Sequence, residues 1–257
     1  MTRKLLATSV AAVALCFALP ALADDTATIT QTNETGSTAY QDQPGNQNNV
    51  AYILQQNGNN DVATQEQNGG AGFATNGKQY IYQGYTTGNN GAVASQTDNS
   101  NASQQTITQD GNNPYNGNTS ATQTINAPGG GYNTQTATQS ANAGSTISQT
   151  IGGYGANNNV QTATQMNQTN SAITQDTEGG GSYNIQTASQ TGYGVNNVIN
   201  QLMENGASNG AQYAYQQNGG VNNLIQQYQG NSYNTATATQ SGGAHNTAIQ
   251  NQGGAHY

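Results

Sequence analysis

Residues 133–139 read Asn133-Thr134-Gln135-Thr136-Ala137-Thr138-Gln139, and their alternation decides the fold. Side chains of an extended strand point to opposite faces in turn. One face here carries Asn133, Gln135, Ala137 and Gln139. The other carries Thr134, Thr136 and Thr138. A period of two, in a stretch rich in Thr and Asn, argues for strand and against helix. The same pattern returns as Asn159/Gln161/Ala163/Gln165, Asn184/Gln186/Ala188/Gln190 and Asn234/Ala236/Ala238/Gln240. A companion strand reads Ser145/Ile147/Gln149, Ser171/Ile173/Gln175, Asn197/Ile199/Gln201 and Asn223/Ile225/Gln227. Two residues before the Gln there is an apolar side chain, small in one strand and large in the other. If the two strands face each other, Ile packs over Ala and fills a thin core. Thr, Ser and Val on the opposite face suit a pleated surface.

Working outward, Gln closes a short element throughout the chain after residue 24. Gln31, Gln55, Gln83, Gln109, Gln149, Gln175, Gln201, Gln226 and Gln250 end elements containing Ile. Gln41, Gln65, Gln96, Gln123, Gln139, Gln165, Gln190, Gln216 and Gln240 end elements containing Ala. Most elements of one type return after about 24 to 28 residues, the interval of a solenoid or stacked array. Each unit is too small to bury a core alone and must lie on a copy of itself. Links such as Gly129-Gly130-Gly131, Gly179-Gly180-Gly181 and Gly242-Gly243 supply turns. The reading is an all-β solenoid of about nine strand-turn-strand coils over residues 24–257.

Fixed-phase amides explain a polar interior. A primary amide both donates and accepts, so identical side chains stacked about 4.8 Å apart can bond in a ladder. Such bonding satisfies buried groups that otherwise cost about 1–3 kcal/mol each. The expected rungs are Gln31, Gln55, Gln83, Gln96, Gln109, Gln123, Gln139, Gln149, Gln165, Gln175, Gln190, Gln201, Gln216, Gln227 and Gln240, with Asn133, Asn159, Asn184, Asn234 and Asn246.

Composition bounds the alternatives. Asn and Gln supply about seventy residues and Trp none, too polar for an ordinary globular core, so composition alone would suggest disorder. The strict phase of Gln and Ile argues for order instead. Arg3 and Lys4, an apolar run from Leu5 to Leu19 and Ala21-Leu22-Ala23 form a secretory signal peptide over residues 1–23. That run is short for a membrane span. Cys16 lies within it, so the mature chain is expected to lack thiol chemistry and transmembrane segments. Lys78 then stands against eleven carboxylates, a formal charge of −10, which disfavours nucleic acid as a partner. Asp42, Asp98, Asp110, Asp176, Glu178 and Glu204 read as linker acids that aid solubility or act as gatekeepers beside β-prone segments.

The motifs resemble those of curlin, the subunit of bacterial curli amyloid fibres, whose repeat pairs S-x5-Q with G-x-x-N-x-A-x3-Q. Ser103 to Gln109 fits the first half. Gly243, Asn246, Ala248 and Gln252 fit the second. Gly130/Asn133/Gln139 and Gly181/Asn184/Gln190 fit with Gln135 and Gln186 in place of Ala. Asn90, Ala92 and Gln96 fit as well, and a terminal Tyr257 follows the last repeat. The repeats are longer than the family's, and its Gly-rich amino-terminal segment is missing. The resemblance implies a secreted subunit of a Gram-negative bacterium that passes an outer-membrane export pore. It would add head to tail to copies of itself from a curli-type nucleator, forming adhesive biofilm fibres. It implies no cofactor and no enzymatic activity.

Three other readings remain open. Thr134-x-Thr136, Thr162-x-Thr164 and Thr235-x-Thr237 suggest an ice-binding face. A solenoid carbohydrate-degrading enzyme would need clustered acids, and a metal site would draw on His245 and His256. A minor nucleating or anchoring subunit would share the fold. Tyr132, Tyr183 and Tyr233, each before a strand-opening Asn, suggest a partial aromatic row. A seam is expected over residues 110–131. There the order of Ile-type and Ala-type strands reverses, Pro114 and Pro128 intervene, and Ile125 sits out of phase. Either the large and small residues exchange columns there, or the coil is irregular.

Overall fold

The computed structural model describes residues 26–43, 48–67, 76–84, 91–110, 118–204 and 206–253. The signal segment 1–23, Pro114, His256 and Tyr257 lie outside the described residues. The described residues form an all-β solenoid with nine strand levels. Coil 1 consists of Thr26–Thr32 and Thr38–Asp42, coil 2 of Val50–Gln56 and Val62–Gln67, and coil 3 of Lys78–Gln83 and Val93–Asp98. Coil 4 is Gln104–Asp110 and Ser120–Asn126, coil 5 is Thr134–Ser140 and Thr146–Gly152, and coil 6 is Val160–Met166 and Ala172–Thr177. Coil 7 is Ile185–Gln190 and Val198–Met203, coil 8 is Ala211–Gln217 and Leu224–Gln229, and coil 9 is Thr235–Ser241 and Thr247–Gln252.

First strands pair in chain order into one nine-stranded parallel sheet, and second strands into another. A three-stranded ribbon of Gln168–Thr169, Gly194–Val195 and Gly220–Val221 runs beside coils 6 to 8. Register follows the Gln columns without a slip, as in Gln109↔Gln139 and Gln123↔Gln149. A slip of one residue would turn every amide outward, so the buried columns hold the register.

Ile and Ala meet between the sheets as the sequence implies. The core joins Ile53, Ile81 and Ile107 in the first sheet to Ala63, Ala94 and Ala121 in the second. Beyond coil 4 it joins Ala137, Ala163, Ala188 and Ala214 to Ile147, Ile173, Ile199 and Ile225. The columns exchange in one step, Ile107↔Ala137 and Ala121↔Ile147, with the strands paired across the exchange. Only the described residues of the seam, 110 and 118–131, can be placed. Ile125 is in phase rather than out of it. It lies two residues past Gln123, on the same inward face, and forms a second small core with Ala127, Ile151 and Ala156.

Apart from the strand at Thr26, whose preceding residues lie outside the described ones, each strand of the nine coils is opened by a residue in the left-handed region. Before the first strands these are Asn48, Asn76, Ala102, Tyr132, Asn158, Tyr183, Asn209 and Tyr233. Before the second they are Gly36, Asn60, Gly91, Asn118, Gly144, Asn170, Asn196, Asn222 and His245. Asn and Gly enter this region most easily, which accounts for much of the Asn content. Gly130 has a different reason: a Cβ there would lie 2.1 Å from the Ala156 carbonyl oxygen of the next coil.

Candidate functional site

Two Gln columns run the whole length of the rod. In the first sheet Gln31, Gln55, Gln83, Gln109, Gln139, Gln165, Gln190, Gln216 and Gln240 are joined in that order. Each Nε2 donates to the next Oε1 at 2.5–3.0 Å. In the second, Gln41, Gln65, Gln96, Gln123, Gln149, Gln175, Gln201, Gln227 and Gln250 do the same at 2.7–2.9 Å. The rung of coil 8 is Gln227, while Gln226 points outward. Most rungs give their second proton to a backbone carbonyl across the core, as Gln149 does to Thr136 at 3.0 Å. Burial of these amides is thereby met with bonds, as buried polar groups require.

Further columns are broken where the sequence changes. Gln79, Gln105, Gln135, Gln161, Gln186 and Gln212 form a third ladder. Gln43 bonds Gln67, and Gln229 bonds Gln252. All run with donors toward the carboxy-terminal end. A column's first rung therefore has an acceptor with nothing beneath it. Gln79 Oε1 lies above Ala51 and Gln229 Oε1 above Met203, and both lack a partner.

The Asn residues do a different job. Asn133 Oδ1 accepts the backbone N–H of Asn159 at 3.0 Å, and Asn159 Oδ1 that of Asn184 at 3.0 Å. Asn184 Oδ1 then takes the N–H of Gly210 at 2.9 Å, so Gly210 separates Asn234 from this column. Asn246 belongs to a second column, its N–H bonded to Asn223 Oδ1 at 3.0 Å and that of Asn223 to Asn197 Oδ1 at 3.1 Å. Ser145 and Ser171 continue it toward the amino-terminal end. These corner ladders were not legible as such, because their bonds join side chain to backbone and tolerate Ser for Asn.

The outer faces also correct the sequence reading. Tyr132, Tyr183 and Tyr233 are exposed, but they sit in alternate coils with Asn158 and Asn209 between, so the described residues show no aromatic row there. The ring contacts are elsewhere, between Tyr80 and Tyr82 at 6.4 Å and Tyr52 and Tyr82 at 5.8 Å. Asp42, Asp98, Asp110 and Asp176, expected in linkers, lie at or near strand ends instead, and Asp98 is fully buried in the interior of coil 3, where its side chain takes the column place of Gln67. Asp176 lies near Glu178 and Glu204. Its carboxyl is pushed up to about 7, first by burial and then by those charges. Among the described residues no three His, Cys, Asp or Glu side chains are placed to hold a metal ion. His245 is exposed in a turn.

What the arrangement can do is add another level. Among the described residues nothing pairs with the outer edges of coils 1 and 9, and these coils match each other. Aligned on Gln31 with Gln240 and on Gln41 with Gln250, they share Thr26/Thr235, Ala27/Ala236, Thr28/Thr237, Thr30/Thr239 and both rungs. Thr38/Thr247, Ala39/Ala248 and Gln43/Gln252 complete nine identities in thirteen positions. Coil 9 shares four with coil 8, its actual neighbour. Ten residues separate the rungs in both end coils. The fold and this site define a repetitive β-solenoid, a form consistent with a structural or fibre-type protein. No protein-family model matches the chain, and no curated protein matches it.

Proposed function

We propose that the chain is the structural subunit of an extracellular, curlin-type amyloid fibre that assembles head to tail for adhesion and biofilm matrix. The match between the two open coils carries this reading. Placed on coil 1 of a second copy, coil 9 offers Gln240, Gln250 and Gln252 as donors to Gln31, Gln41 and Gln43, continuing each ladder in its own direction. Ala238 meets Ile29, and Ala248 meets Ala39. Open strand edges template further strands unless blocked. Secretion, an outer-membrane pore and a nucleating partner belong to the same proposal, which assigns no catalysis. Electron microscopy with fibre diffraction of the mature chain tests it. Fibres with a meridional spacing of about 4.7–4.8 Å are expected. A chain that stays monomeric at tens of micromolar for days would refute it.

One observation favours a second reading. Thr106, Thr136, Thr162 and Thr187, with Thr108, Thr138, Thr164 and Ser189, make an unbroken hydroxyl array on the outer face of coils 4 to 7. An ice-binding role would show as thermal hysteresis of the soluble monomer.

A further inference from the structure

The interior of the rod is amide and alkyl, yet two carboxyls lie inside its amino-terminal half. Asp98 in coil 3 is flanked in its column by Gln67 below and Ile125 above. Both Asp98 and Asp61, the latter at the corner of coil 2, are fully buried. Asp98 Oδ1 accepts the Ser100 N–H at 2.9 Å and the Ser100 hydroxyl at 2.6 Å, while Oδ2 has no partner. Asp61 Oδ1 accepts the Ala92 N–H at 2.8 Å, and its Oδ2 likewise has none.

Among the described residues no basic side chain compensates either group. Around Asp98, the charged residues of the strands packed on it are Glu66, Lys78 and Asp110, and all three alternate to the outer faces. Coil 4 adds no charge on its second strand. Around Asp61, the charged neighbour is Glu34 in the coil below, another acid, whose Oε2 accepts from Ser37 at 2.6 Å. Asp42 of that coil lies on an outer face, bonded to Tyr40. An ionised carboxylate held in such surroundings with one oxygen unpartnered is costly, and the group takes a proton instead. The space that a Cβ on Gly77 would fill is lined by Asp98 Oδ2 at 3.3 Å, Asn49 Oδ1 at 3.1 Å and Gln67 Nε2 at 3.1 Å, so neutral amides and no cation face it.

We propose that closing coils 2 and 3 takes up protons at Asp61 and Asp98, so that the amino-terminal half of the rod is tightened by mild acid and loosened as pH rises. Burial is the main cause raising both carboxyls to about 6. A folded value above the unfolded one stabilises the fold fully below the ordinary carboxyl range near 4. That stabilisation is lost as pH rises through about 6. The device acts on folding of the coils and does not depend on fibre formation.

Hydrogen exchange of the full chain, corrected for intrinsic rates, tests it at about pH 5 and about pH 7.5, where linkage gives roughly a tenfold loss of protection per carboxyl. The loss is expected over residues 48–67 and 91–110, with residues 211–241 changing little. Asp98→Asn keeps an Oδ1 for Ser100, and Asp61→Asn keeps one for Ala92. The double variant should flatten the pH dependence, whereas Asp42→Asn should leave it. Infrared spectroscopy supplies a second readout, a protonated-carboxyl band at about pH 5 that the double variant loses, distinct from the contribution of Asp176, which is raised to about 7 and persists in that variant. Protection independent of pH, a slope kept by the double variant, or absence of that band would each overturn the proposal.

Discussion

Coils 1 to 4 and coils 5 to 9 are built on the same two Gln ladders but fill their cores from opposite sheets. In the first region the large residue is Ile29, Ile53, Ile81 or Ile107 of the first strand. In the second it is Ile147, Ile173, Ile199 or Ile225 of the second strand. The rungs run through the exchange with unchanged bonds, 2.8 Å from Gln109 to Gln139 and 2.7 Å from Gln123 to Gln149. The amides therefore set register, and the core asks only for one large and one small residue per level. Coil 9 relaxes even that, with Ala238 facing Ala248 and Ile249 turned outward. The arcs vary within the first region, where coils 1 and 2 use ten residues from rung to rung. Coils 3 and 4 use thirteen and fourteen residues, coils 5 to 9 ten or eleven.

The comparison breaks most sharply if the halves are separated. Residues 132–257 keep the Ile column of coils 5 to 8, and their lower end, coil 5, shares eight of thirteen positions with coil 9. This fragment should fold and form fibres alone. A fragment that stays soluble and unstructured by circular dichroism would show that the amino-terminal coils are needed as a template.

Core variants sharpen the same point at the next level. Ile81→Ala and Ile173→Ala each empty a large side chain from one region, and each should cost about 2–5 kcal/mol in denaturant unfolding. Ala121→Ile alone should overpack coil 4 by about 1–3 kcal/mol. Adding Ile107→Ala moves the exchange by one coil and should recover most of that loss. A double variant no better than the single one would mean that the exchange is fixed where it is by something other than volume.

Amide rungs come next. Gln149→Ala or Gln175→Ala removes a donor and an acceptor from the second-sheet ladder and leaves buried partners short, a cost of about 1–3 kcal/mol. Thr136→Ala and Thr164→Ala, on the half-exposed outer face, should change stability by less than about 0.5 kcal/mol. If fibres form, the lag time should follow the same order. Equal effects in the two pairs would contradict the inward and outward assignment.

These contrasts show which parts of the molecule the sequence disclosed. Alternation told the inner face from the outer at Asn133–Gln139, and recurrence told which Gln share a column. Both follow from the strand period and the repeat interval, which need only identity at fixed phase. Asp98 escaped this reading because an acid beside a strand is ordinarily solvated, and only pairing placed it above Gln67. Motif spacing groups Asn234 and Asn246 with Asn133 because it does not say which sheet a corner belongs to. The left-handed residues were visible as Asn and Gly. At Tyr132, Tyr183, Tyr233, Ala102 and His245 the conformation is imposed by stacking against local preference. Tyr183→Gly should accordingly stabilise by about 1 kcal/mol, since a left-handed non-glycine residue is strained by about 1–2 kcal/mol. An unchanged melting temperature would place that strain elsewhere.

The smallest effect expected is electrostatic, and it too separates the regions. In coils 6 and 7 Glu178 and Glu204 follow aligned strand ends, and Asp176 stands beside them, raised to about 7 first by burial and then by these two charges. Because the raised carboxyl is easier to bury when protonated, its contribution is present at acid pH and lost as pH rises through about 7. Repulsion among exposed acids is screened within a Debye length of about 8 Å at physiological ionic strength. Fibre growth at neutral pH should therefore quicken as salt rises from low values to about 0.15 M, with the local share of that response coming from this trio. Glu204→Gln should remove that share. It should speed growth at low salt and leave growth at about 0.15 M nearly unchanged, because the charge it deletes is already screened there. A variant with the same salt response as the parent chain would show that the remaining acids, spread along the rod, carry the repulsion between subunits.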